Sequence, residues 1–379
     1  MKILVTHPFS WPYVRRGAER FLHELSGYLA GRGHEVTVLT SKPSGKEDEI
    51  VRENGCTIVR RPQIQARFWR WIGVRPEQTF LLTCLPFMLR HRFDVVHCLY
   101  YFDAGAARLA GLFGRRPYLL QINGVPLARY FRRRPLDYGI LHLAINGASH
   151  VVMLSETAAH DLETGFGSKS VLIPPPCNLG QFRLKIGRDL ARPIILAVGA
   201  FCEARKGGRL LMRAFQRFKQ KLPSAALKFS GDIPESKQSE LLSLLTDQWR
   251  EDVEFLGRGN LEDLPGLYAE AAITVLPSLF DSFGMVLVES LACGTPVVGS
   301  RHGGIPDIVE EGVGLLFDPG STEHEPDNVV GLTEALLRTL DLYEDPDLPY
   351  RCRKRAEQFD WEVLGPRYEE LYRGIGGSR

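Results

Sequence analysis

The sequence predicts an α/β protein made of two doubly wound, Rossmann-like domains that face each other across a cleft. Short β-branched runs alternate with helical stretches through almost the whole chain, which is typical of parallel sheets with helices on both faces. The length of 379 residues suits two domains of roughly 150 residues each. The alternation pauses once, at Pro174-Pro175-Pro176 and the segment Asn178–Arg192, which we interpret as a linker.

The first block, residues 1–183, begins with a strand and continues as one parallel-sheet domain. Its predicted strands are Lys2–Thr6, Glu35–Thr40, Thr57–Val59, Asp94–His97, Tyr118–Gln121, His150–Leu154 and Val171–Ile173. Its clearest helices are Ala18–Ala30 and Pro135–Asn146. Ligands of such domains bind at the carboxyl ends of the strands, so the loops that follow strands are candidate sites.

The second block, residues 190–361, repeats the alternation. Its predicted strands are Ile194–Val198, Leu227–Ser230, Val253–Leu256, Ile273–Leu276, Pro296–Gly299 and Gly314–Phe317. Its predicted helices are Gly208–Lys221, Glu235–Gln248, Gly284–Cys293 and Asn328–Leu340. This pattern predicts a second doubly wound domain.

Composition excludes several classes of protein. Apolar residues make up 44% and charged residues 24% of the chain, as in soluble globular proteins and unlike disordered ones. No apolar run approaches the roughly 20 residues of a transmembrane helix, and the N-terminus is expected to form a strand and not a signal peptide. The scattered cysteines include no C-x-x-C pair, which argues against a zinc site or disulfide framework and fits the cytoplasm.

Charge is distributed unevenly between the two blocks. Residues 1–180 contain 23 Lys and Arg against 14 Asp and Glu, a net charge of +9, whereas the remainder contains 24 against 31, a net charge of −7. The asymmetry indicates an anionic partner for the first block, or simply a solvated surface. Two clusters that mix cations with aromatic rings, Arg67–Trp71 and Arg129–Arg134, favour an anionic membrane or a lipid-linked acceptor over nucleic acid, with solvated clusters as the alternative.

The most informative segment runs from Pro277 to Pro296 and reads as strand end, loop, helix and strand. Gly284 lies where the helix begins, so a ligand can approach free backbone N–H groups there, and the helix dipole favours an anion such as a diphosphate. Asp281 and Glu289 stand eight residues apart around this point, and carboxylates suit the paired hydroxyls of a sugar and a ribose. The alternatives are a plain N-cap for Asp281 and a solvated helix face for Glu289.

A loop with two cations follows the strand Ile194–Val198. Gly199 ends the strand, and Arg205 and Lys206 stand just before the next helix. Two cations at the carboxyl end of a strand can neutralise a diphosphate leaving group; the alternative is a pair of exposed loop cations. Gly17, at the start of the first long helix, marks another helix N-terminus that follows a strand.

Together these segments resemble the retaining glycosyltransferases of family 4, the glycosyl transferases group 1, which have the GT-B fold. The resemblance covers nearly the whole chain. The stretches that carry it are Gly31–Val36, Arg205–Gly207, Phe283–Glu289, Ala292–Val298, Gly303–Pro306 and Phe359–Tyr372. In the family the C-terminal helix, here residues 362–379, returns to the N-terminal domain.

The resemblance implies a site and a reaction. The donor-binding residues it implies are Gly17, Arg205, Lys206, Ser282, Phe283, Gly284, Met285, Val286, Leu287 and Glu289. Asp281 falls on the position that contacts the sugar hydroxyls, and Glu289 falls on the position that binds the donor ribose. The family uses a nucleotide-diphosphate-sugar donor, needs no obligatory metal or other cofactor, and retains the configuration at the anomeric carbon.

Several positions depart from the family pattern. The first acidic residue is Asp281 where the family has glutamate. Arg16 replaces the first of two loop glycines, and Ala200 stands where some members have an arginine. Asn123 occupies the place of a histidine expected near the donor sugar, and it can hydrogen-bond a hydroxyl but cannot titrate. These changes bear on the choice of sugar more than on the reaction class.

We therefore take Asp281, Asn123 and His97 as the candidate catalytic residues. His97 ends a predicted strand at an acceptor-side position, and a core histidine is the alternative. Asp345-Pro346-Asp347 has the D-x-D pattern of metal sites but lies in a Pro-rich turn, so a solvated turn is the better interpretation and no metal site is predicted.

The sequence thus predicts a hexosyltransferase in the cytoplasm, or peripheral on the inner face of the plasma membrane. It would move a hexose from a UDP- or GDP-sugar to an acceptor hydroxyl on a lipid-linked or cell-envelope glycan. Two alternatives stay open. One is a GT-B enzyme of other chemistry, a nucleotide-sugar epimerase or a phosphorylase, and the other is a non-catalytic GT-B subunit that binds a partner enzyme.

Overall fold

The structure is a computed structural model that describes residues 1–14, 16–64, 74–114, 117–320 and 327–376. The chain divides into two compact units. The first contains Met1–Pro176 and the chain from Leu364 onward, and the second contains Cys177–Val363. Each unit is built on its own mainly parallel sheet, so the predicted α/β fold class is confirmed.

The first unit has an eight-stranded sheet. Its strands are β1 (Lys2–Thr6), β2 (Glu35–Lys42), β3 (Glu49–Glu53), β4 (Cys56–Pro62), β5 (Val95–Cys98), β6 (Tyr118–Ile122), β7 (His150–Met153) and β8 (Val171–Leu172). They lie in the order β3-β4-β2-β1-β5-β6-β7-β8, and only the β3–β4 pair is antiparallel. The strand order reverses between β1 and β5, so the loops after these strands lie where ligands of doubly wound sheets bind.

Amphipathic helices cover this sheet. Those described in the first part of the unit are α1 (Gly17–Gly31), α2 (Pro76–Arg90), α3 (Tyr101–Ala110), α4 (Ala128–Arg132), α5 (Pro135–Gly147) and α6 (Glu156–Phe166). Helix α1 illustrates the rule, because Leu22, Leu25 and Leu29 recur at helical spacing and are all buried.

The second unit has a six-stranded sheet in which every neighbouring pair is parallel. Its strands are β9 (Ile194–Val198), β10 (Ala226–Ser230), β11 (Val253–Phe255), β12 (Ile273–Leu276), β13 (Val297–Ser300) and β14 (Gly314–Phe317). They lie in the order β11-β10-β9-β12-β13-β14. The order reverses between β9 and β12, which brings the loops after these two strands together.

The described helices that follow are α7 (Gly208–Lys221), α8 (Glu235–Leu242), α9 (Leu264–Glu270), α10 (Met285–Ala292), α11 (Val329–Asp341), α12 (Leu348–Glu357) and α13 (Trp361–Gly376). Helix α13 starts in the second unit and belongs to the first from Leu364 onward. Its Tyr368 and Tyr372 are fully buried. Within the described ranges, no helix combines the length and the apolar character needed to cross a membrane.

The largest differences from the predicted elements are at β3 and α8. Strand β3 was not predicted, because its residues are mostly exposed and charged and show no apolar face, as is usual for a strand at a sheet edge. Helix α8 ends at Leu242 and not at Gln248. At that end the Ser243 hydroxyl donates to the Glu240 carbonyl at 2.6 Å, a local bond that competes with helix continuation.

Candidate functional site

Two loops of the second unit, which the sequence singled out separately, are joined by hydrogen bonds. One follows β9 and contains Arg205, and the other follows the adjacent strand β12. The Arg205 carbonyl accepts from Leu279 N at 2.8 Å and from the Ser278 hydroxyl at 3.3 Å. The Arg205 guanidinium donates back to the Phe280 carbonyl at 2.6 Å. The pairing of β9 with β12 therefore brings the cationic loop against the loop that precedes α10.

An ion pair completes this junction. Lys206 Nζ lies 2.6 Å from Asp281 Oδ2, and the two side chains are 14% and 19% exposed. A charged pair at this distance holds both groups in a defined geometry, and the remaining exposure leaves an edge that a ligand can reach. The cation predicted for a diphosphate and the carboxylate predicted for a sugar are thus direct neighbours.

Arg205 is paired as well. Its Nε donates to Glu203 Oε2 at 2.7 Å, Nη2 lies 2.6 Å from the same oxygen, and 41% of the side chain is exposed. Neither cation is therefore a bare, solvated loop residue. An incoming diphosphate would compete with Glu203 for Arg205 and with Asp281 for Lys206.

Helix α10 begins at Met285, one residue later than predicted, and Gly284 is its N-cap residue. The backbone of Gly284 has a φ of +107°, and a Cβ there would lie 3.2 Å from the Leu276 side chain. Glycine is thus required by conformation, and it has no side chain with which to cap the first N–H groups of the helix. Since Asp281 does not occupy the N-cap position, its interpretation as a plain N-cap is wrong.

The other predicted residues around this helix start differ in exposure. Phe283 is 2% exposed and packs edge-on against Phe359, with ring centroids 5.4 Å apart. Leu287 is fully buried. Both side chains belong to the core, so only their backbone atoms remain for a ligand. The remaining three are partly exposed: Ser282, Met285 and Val286.

Glu289 lies one helical turn beyond Met285 on the same face of α10. It is 2% exposed, and its Oε2 accepts a 2.6 Å hydrogen bond from the hydroxyl of Tyr268, a fully buried residue of α9. The interpretation of Glu289 as part of a solvated helix face is therefore wrong. Tyr268 was not predicted as a site residue, because a single tyrosine in a helical stretch predicts core packing and not a partner for a carboxylate.

A third loop, after β13, touches the same place. The Asp281 carbonyl accepts from Gly304 N at 3.0 Å. Gly303 has a φ of +63°, and a Cβ on it would lie 2.3 Å from that carbonyl oxygen, so only glycine allows this approach. The double glycine thus fixes the backbone of Asp281 while Lys206 holds its side chain. The sequence showed the two glycines as part of the family motif, but it could not show their contact with Asp281.

In the first unit, Asn123 directly follows β6 and is partly exposed. Its Oδ1 accepts from Gln121 Nε2 at 2.8 Å, and its Nδ2 donates to the Leu99 carbonyl at 3.1 Å. Leu99 follows the adjacent strand β5, so the amide bridges the carboxyl ends of two neighbouring strands. This is the edge at which ligands of parallel sheets bind.

His97 lies in a different environment. It is fully buried in β5, and its Nδ1 lies 2.7 Å from the hydroxyl of Tyr372 in α13. Burial lowers the pKa of His97 to about 3, so the imidazole is neutral near pH 7. A buried, neutral ring offers no surface to an acceptor. The structure therefore favours the core-histidine interpretation, and we leave His97 out of the proposed site.

The other sequence candidates of the first unit lie at its surface. Gly17 opens α1 as predicted, and a Cβ there would meet no atom within 4 Å. The Arg129–Arg134 cluster lies on α4 and just after it, and Arg129, Arg132 and Arg133 are exposed. Arg134 stacks over the ring of Tyr130, with 4.6 Å from its Cζ to the ring centroid. The Arg67–Trp71 cluster lies outside the described residues.

The D-x-D pattern forms a local turn. Asp345 pairs with Arg351 and accepts a 2.8 Å hydrogen bond from the backbone N–H of Asp347. In the part of the chain that the structure describes, no three His, Cys, Asp or Glu side chains are grouped so that they could hold a metal ion.

Two family models match the chain and together span most of it. Glycosyltransferase Family 4 matches residues 15–181, and Glycosyl transferases group 1 matches residues 181–358. The chain belongs to the group 1, family 4 glycosyltransferases. It is thus an enzyme of the transferase class, and the resemblance drawn from its motifs is confirmed.

Known relatives align with this glycosyltransferase over most of their length. It is 27% identical over 410 residues to a GDP-mannose-dependent alpha-(1-6)-phosphatidylinositol monomannoside mannosyltransferase of Mycolicibacterium smegmatis, an alignment that covers 100% of this chain and 99% of the relative. It is 26% identical over 394 residues to a D-inositol 3-phosphate glycosyltransferase of Pseudarthrobacter chlorophenolicus, covering 91% and 87%.

Solved structures share the GT-B fold of this glycosyltransferase. Sucrose-phosphate synthase from Thermosynechococcus elongatus superimposes with a TM-score of 0.81 at 21% identity, covering 100% of this chain and 99% of that one. HepE from Anabaena, in complex with UDP-glucose, superimposes with a TM-score of 0.73 at 18% identity, covering 98% and 99%. At these identities the likeness is one of fold.

Proposed function

We propose that this glycosyltransferase transfers a hexose from a UDP- or GDP-sugar to a hydroxyl of a lipid-linked or cell-envelope glycan, with retention at the anomeric carbon. The observation that carries the proposal is the junction of Lys206, Asp281 and the start of α10. The relative from Mycolicibacterium smegmatis is named for a GDP-mannose donor, and HepE was solved with UDP-glucose. These names support a nucleotide-sugar donor for this chain.

The donor diphosphate is proposed to bind at the start of α10. There the N–H groups of Met285 and Val286 lie in the first turn, behind an N-cap glycine. Lys206 and Arg205 supply positive charge from the adjacent loop. Charge-assisted hydrogen bonds of this type are about twice as strong as neutral ones, so these cations would contribute much of the affinity for the leaving group.

The sugar and the ribose are proposed to lie on either side of the diphosphate. Asp281, held by Lys206, would accept hydrogen bonds from sugar hydroxyls near the reacting carbon. Glu289, one turn along α10 and held by Tyr268, would accept from the ribose hydroxyls. In the first unit, Asn123 would contact the sugar in place of the histidine usual in the family.

In the proposed transfer, the bond between the anomeric carbon and the leaving phosphate oxygen breaks, and both bonding electrons stay with the nucleoside diphosphate. The acceptor oxygen then bonds to the same face of the anomeric carbon. Its proton passes to an oxygen of the departing phosphate, so no protein nucleophile is required. The sugar ring carries positive charge in between, which the carboxylate of Asp281 would stabilise, while Arg205 and Lys206 balance the leaving group.

The first unit is proposed to supply the acceptor surface. Residues 1–180 carry the excess of cations, and Arg129, Arg132 and Arg133 stand exposed on and just after α4, beside the exposed Tyr130. Such a cluster suits an anionic membrane surface or the phosphate of a lipid-linked acceptor. We further propose that the enzyme works at the membrane surface through this cluster.

A panel of radiolabelled UDP- and GDP-sugars, scored for hydrolysis without acceptor, tests the proposal. One nucleotide sugar should be consumed, with release of the free hexose, and the Lys206→Ala variant should lose this activity. The absence of binding and consumption for every member of the panel would contradict the proposed donor class. A thermal-shift screen with UDP and GDP gives a parallel readout, because a ligand that binds only the folded state raises the melting temperature.

Product analysis separates the alternatives. A nucleotide-sugar epimerase converts the donor to an isomeric nucleotide sugar without acceptor, and a phosphorylase requires inorganic phosphate. A non-catalytic subunit binds nucleotide but consumes no donor. The retained Lys206, Arg205 and Glu289 argue against this last possibility.

A further inference from the structure

The C-terminal helix is connected to Asn123 by a chain of side-chain hydrogen bonds inside the first unit. The Tyr368 hydroxyl of α13 donates to Gln121 Oε1 at 3.1 Å. Gln121 Nε2 donates to Asn123 Oδ1 at 2.8 Å, and Asn123 Nδ2 donates to the Leu99 carbonyl at 3.1 Å. Tyr368 and Gln121 are fully buried, whereas Asn123 is partly exposed.

The chain can run in only one direction. The Leu99 carbonyl can only accept, so the amide nitrogen of Asn123 must face it and the amide oxygen must face Gln121. Gln121 then has to present its nitrogen to Asn123 and its oxygen to Tyr368, whose hydroxyl donates. Rotating either amide by 180° would place two oxygens or two nitrogens against each other. The Leu99 carbonyl sets this polarity, and the Tyr368 hydroxyl supplies the donor to Gln121 Oε1 that helps to hold Gln121 in place against the amide of Asn123.

This arrangement leaves Asn123 with defined capacity for a ligand. An amide oxygen accepts two hydrogen bonds and an amide nitrogen donates two, and the residues that the structure describes use one of each. One acceptor position and one N–H remain, at the carboxyl ends of β5 and β6 where Asn123 is partly exposed. A fixed donor and acceptor side by side suit a sugar hydroxyl, which both accepts and donates.

We propose that Tyr368 is a positioning residue for the transfer reaction, acting through Gln121 to hold the amide of Asn123 toward the sugar. This inference rests on the proposed function. It assigns to the C-terminal helix a part in ordering the site, in addition to packing against the first unit. Because asparagine does not titrate, the orientation of the Asn123 amide alone decides whether a ligand meets its hydrogen-bond donor or its acceptor.

Tyr372 provides a matched control on the same helix. It lies one turn beyond Tyr368, is equally buried, and its hydroxyl also meets one side chain of the sheet, His97 Nδ1 at 2.7 Å. His97 is fully buried and presents nothing to a ligand. Removing either hydroxyl thus deletes a buried contact between α13 and the sheet, but only Tyr368 donates directly to Gln121 Oε1. Tyr372 reaches Gln121 only through His97, one contact further from Asn123.

The test compares Tyr368→Phe with Tyr372→Phe. Losing one hydrogen bond in the positioning chain should lower kcat by about three- to tenfold in Tyr368→Phe, with KM for the donor and affinity for UDP or GDP unchanged. Tyr372→Phe should keep the kcat of the wild type, although both variants lose similar thermal stability. Equal loss of kcat in both variants, or none in Tyr368→Phe, would overturn the inference.

A double variant adds a second readout. If Tyr368 acts through Asn123, Tyr368→Phe should reduce kcat no further in an Asn123→Ala background, because the group that it orients is gone. Multiplicative losses would mean that Tyr368 acts elsewhere.

The variant Gln121→Glu tests the direction of the chain. It keeps the side-chain volume but replaces the donating nitrogen with an oxygen that faces Asn123 Oδ1, so it should lower kcat at least as much as Tyr368→Phe. Full activity of Gln121→Glu would contradict the proposed direction.

The side-chain amide protons of Asn123 give a readout that does not depend on turnover. The proton bonded to the Leu99 carbonyl should exchange slowly with solvent in the wild type and in Tyr372→Phe, and faster in Tyr368→Phe. Unchanged exchange would refute the positioning role even if the enzyme used no nucleotide sugar. Full activity of Asn123→Ala together with loss of activity in Lys206→Ala would refute this inference alone and leave the proposed function standing.

Discussion

Lys206 Nζ and Asp281 Oδ2 lie 2.6 Å apart, although 75 residues separate them in the chain. The pair joins the loop after β9 to the loop before α10, and both partners are mostly shielded from solvent. Each group was assigned from sequence to a different part of the donor, the cation to the diphosphate and the carboxylate to the sugar. Because the two side chains form an ion pair, a substitution of either one also removes the charged partner of the other. The predictions for variants of this site take both effects into account.

Replacing Asp281 with alanine should separate turnover from nucleotide affinity. The carboxylate is proposed to stabilise the positive charge of the sugar ring, so its loss should lower kcat by about 100-fold. Affinity for bare UDP or GDP should be unchanged or tighter, because Lys206 is freed for the phosphates. Steady-state kinetics and calorimetry on the same variant measure both quantities.

Glu203→Ala is the matched control for that variant. It frees Arg205 in the way that Asp281→Ala frees Lys206, but Glu203 is not assigned to the sugar. Turnover should stay near that of the wild type in Glu203→Ala. Equal turnover in the two alanine variants would remove Asp281 from the reaction.

Glu289 should affect binding more than turnover. The ribose changes little during the reaction, so losing its contact removes uniform binding. Glu289→Gln preserves volume and an acceptor for Tyr268, and exchanging a charged for a neutral hydrogen bond should weaken UDP or GDP binding by about 1 kcal/mol. Glu289→Ala should weaken it further and lower the melting temperature, because the buried Tyr268 hydroxyl loses its acceptor. Unchanged nucleotide affinity in Glu289→Gln would refute the ribose assignment.

The sequence could predict the elements of this site but not its contacts. Gly284 and Glu289 lie in one contiguous motif, so a local pattern reveals them. The Lys206–Asp281 pair depends on the adjacency of β9 and β12, which is a property of strand order and not of local sequence. Tyr268 and Tyr368 were not predicted as hydrogen-bond partners for the same reason. A buried tyrosine is interpreted as a core residue until the side chain that its hydroxyl contacts is known.

In the first unit, His97 shows that a position at the end of a strand does not by itself identify an active-site residue. Its place at the end of a strand is what an active-site residue would show, and the prediction of that strand was close. What excludes it is the fully buried ring and its contact with Tyr372, 275 residues away in α13. Only the return of the last helix to this sheet reveals that environment.

The exposed arginines of the first unit should bind anionic membranes. Replacing Arg129, Arg132 and Arg133 with serine should weaken binding to anionic vesicles on the order of 100-fold, at roughly 1 kcal/mol for each cation near the surface. Flotation at low salt measures this binding, and added salt should reduce it in the wild type.

A second triple variant controls for net charge. Arg213, Arg217 and Lys221 are exposed along α7 of the second unit, where the aromatic residues Phe215 and Phe218 are buried and not exposed like Tyr130. Serine at these three positions should leave vesicle binding unchanged. If the wild type does not float with anionic vesicles at low salt, the membrane part of the proposal fails.

Metal removal should leave the transfer rate unchanged. The proposed site balances the charge of the leaving diphosphate with Lys206, Arg205 and the N–H groups at the start of α10. Assay after dialysis against EDTA is the measurement. A rate that collapses with EDTA and returns with Mg²⁺ or Mn²⁺ would show that a divalent ion takes part in the reaction.

Calorimetry of UDP and GDP binding to the wild type and to Lys206→Ala tests the central claim most directly, because it asks whether the Lys206–Asp281 junction holds the donor phosphates. The account predicts that one of the two nucleotides binds the wild type and that Lys206→Ala loses about 1.5–3 kcal/mol of that affinity, as expected for a charge-assisted contact. Arg217→Ala, which removes an exposed cation on α7, should bind like the wild type. Equal affinity in the wild type and in Lys206→Ala would contradict the account.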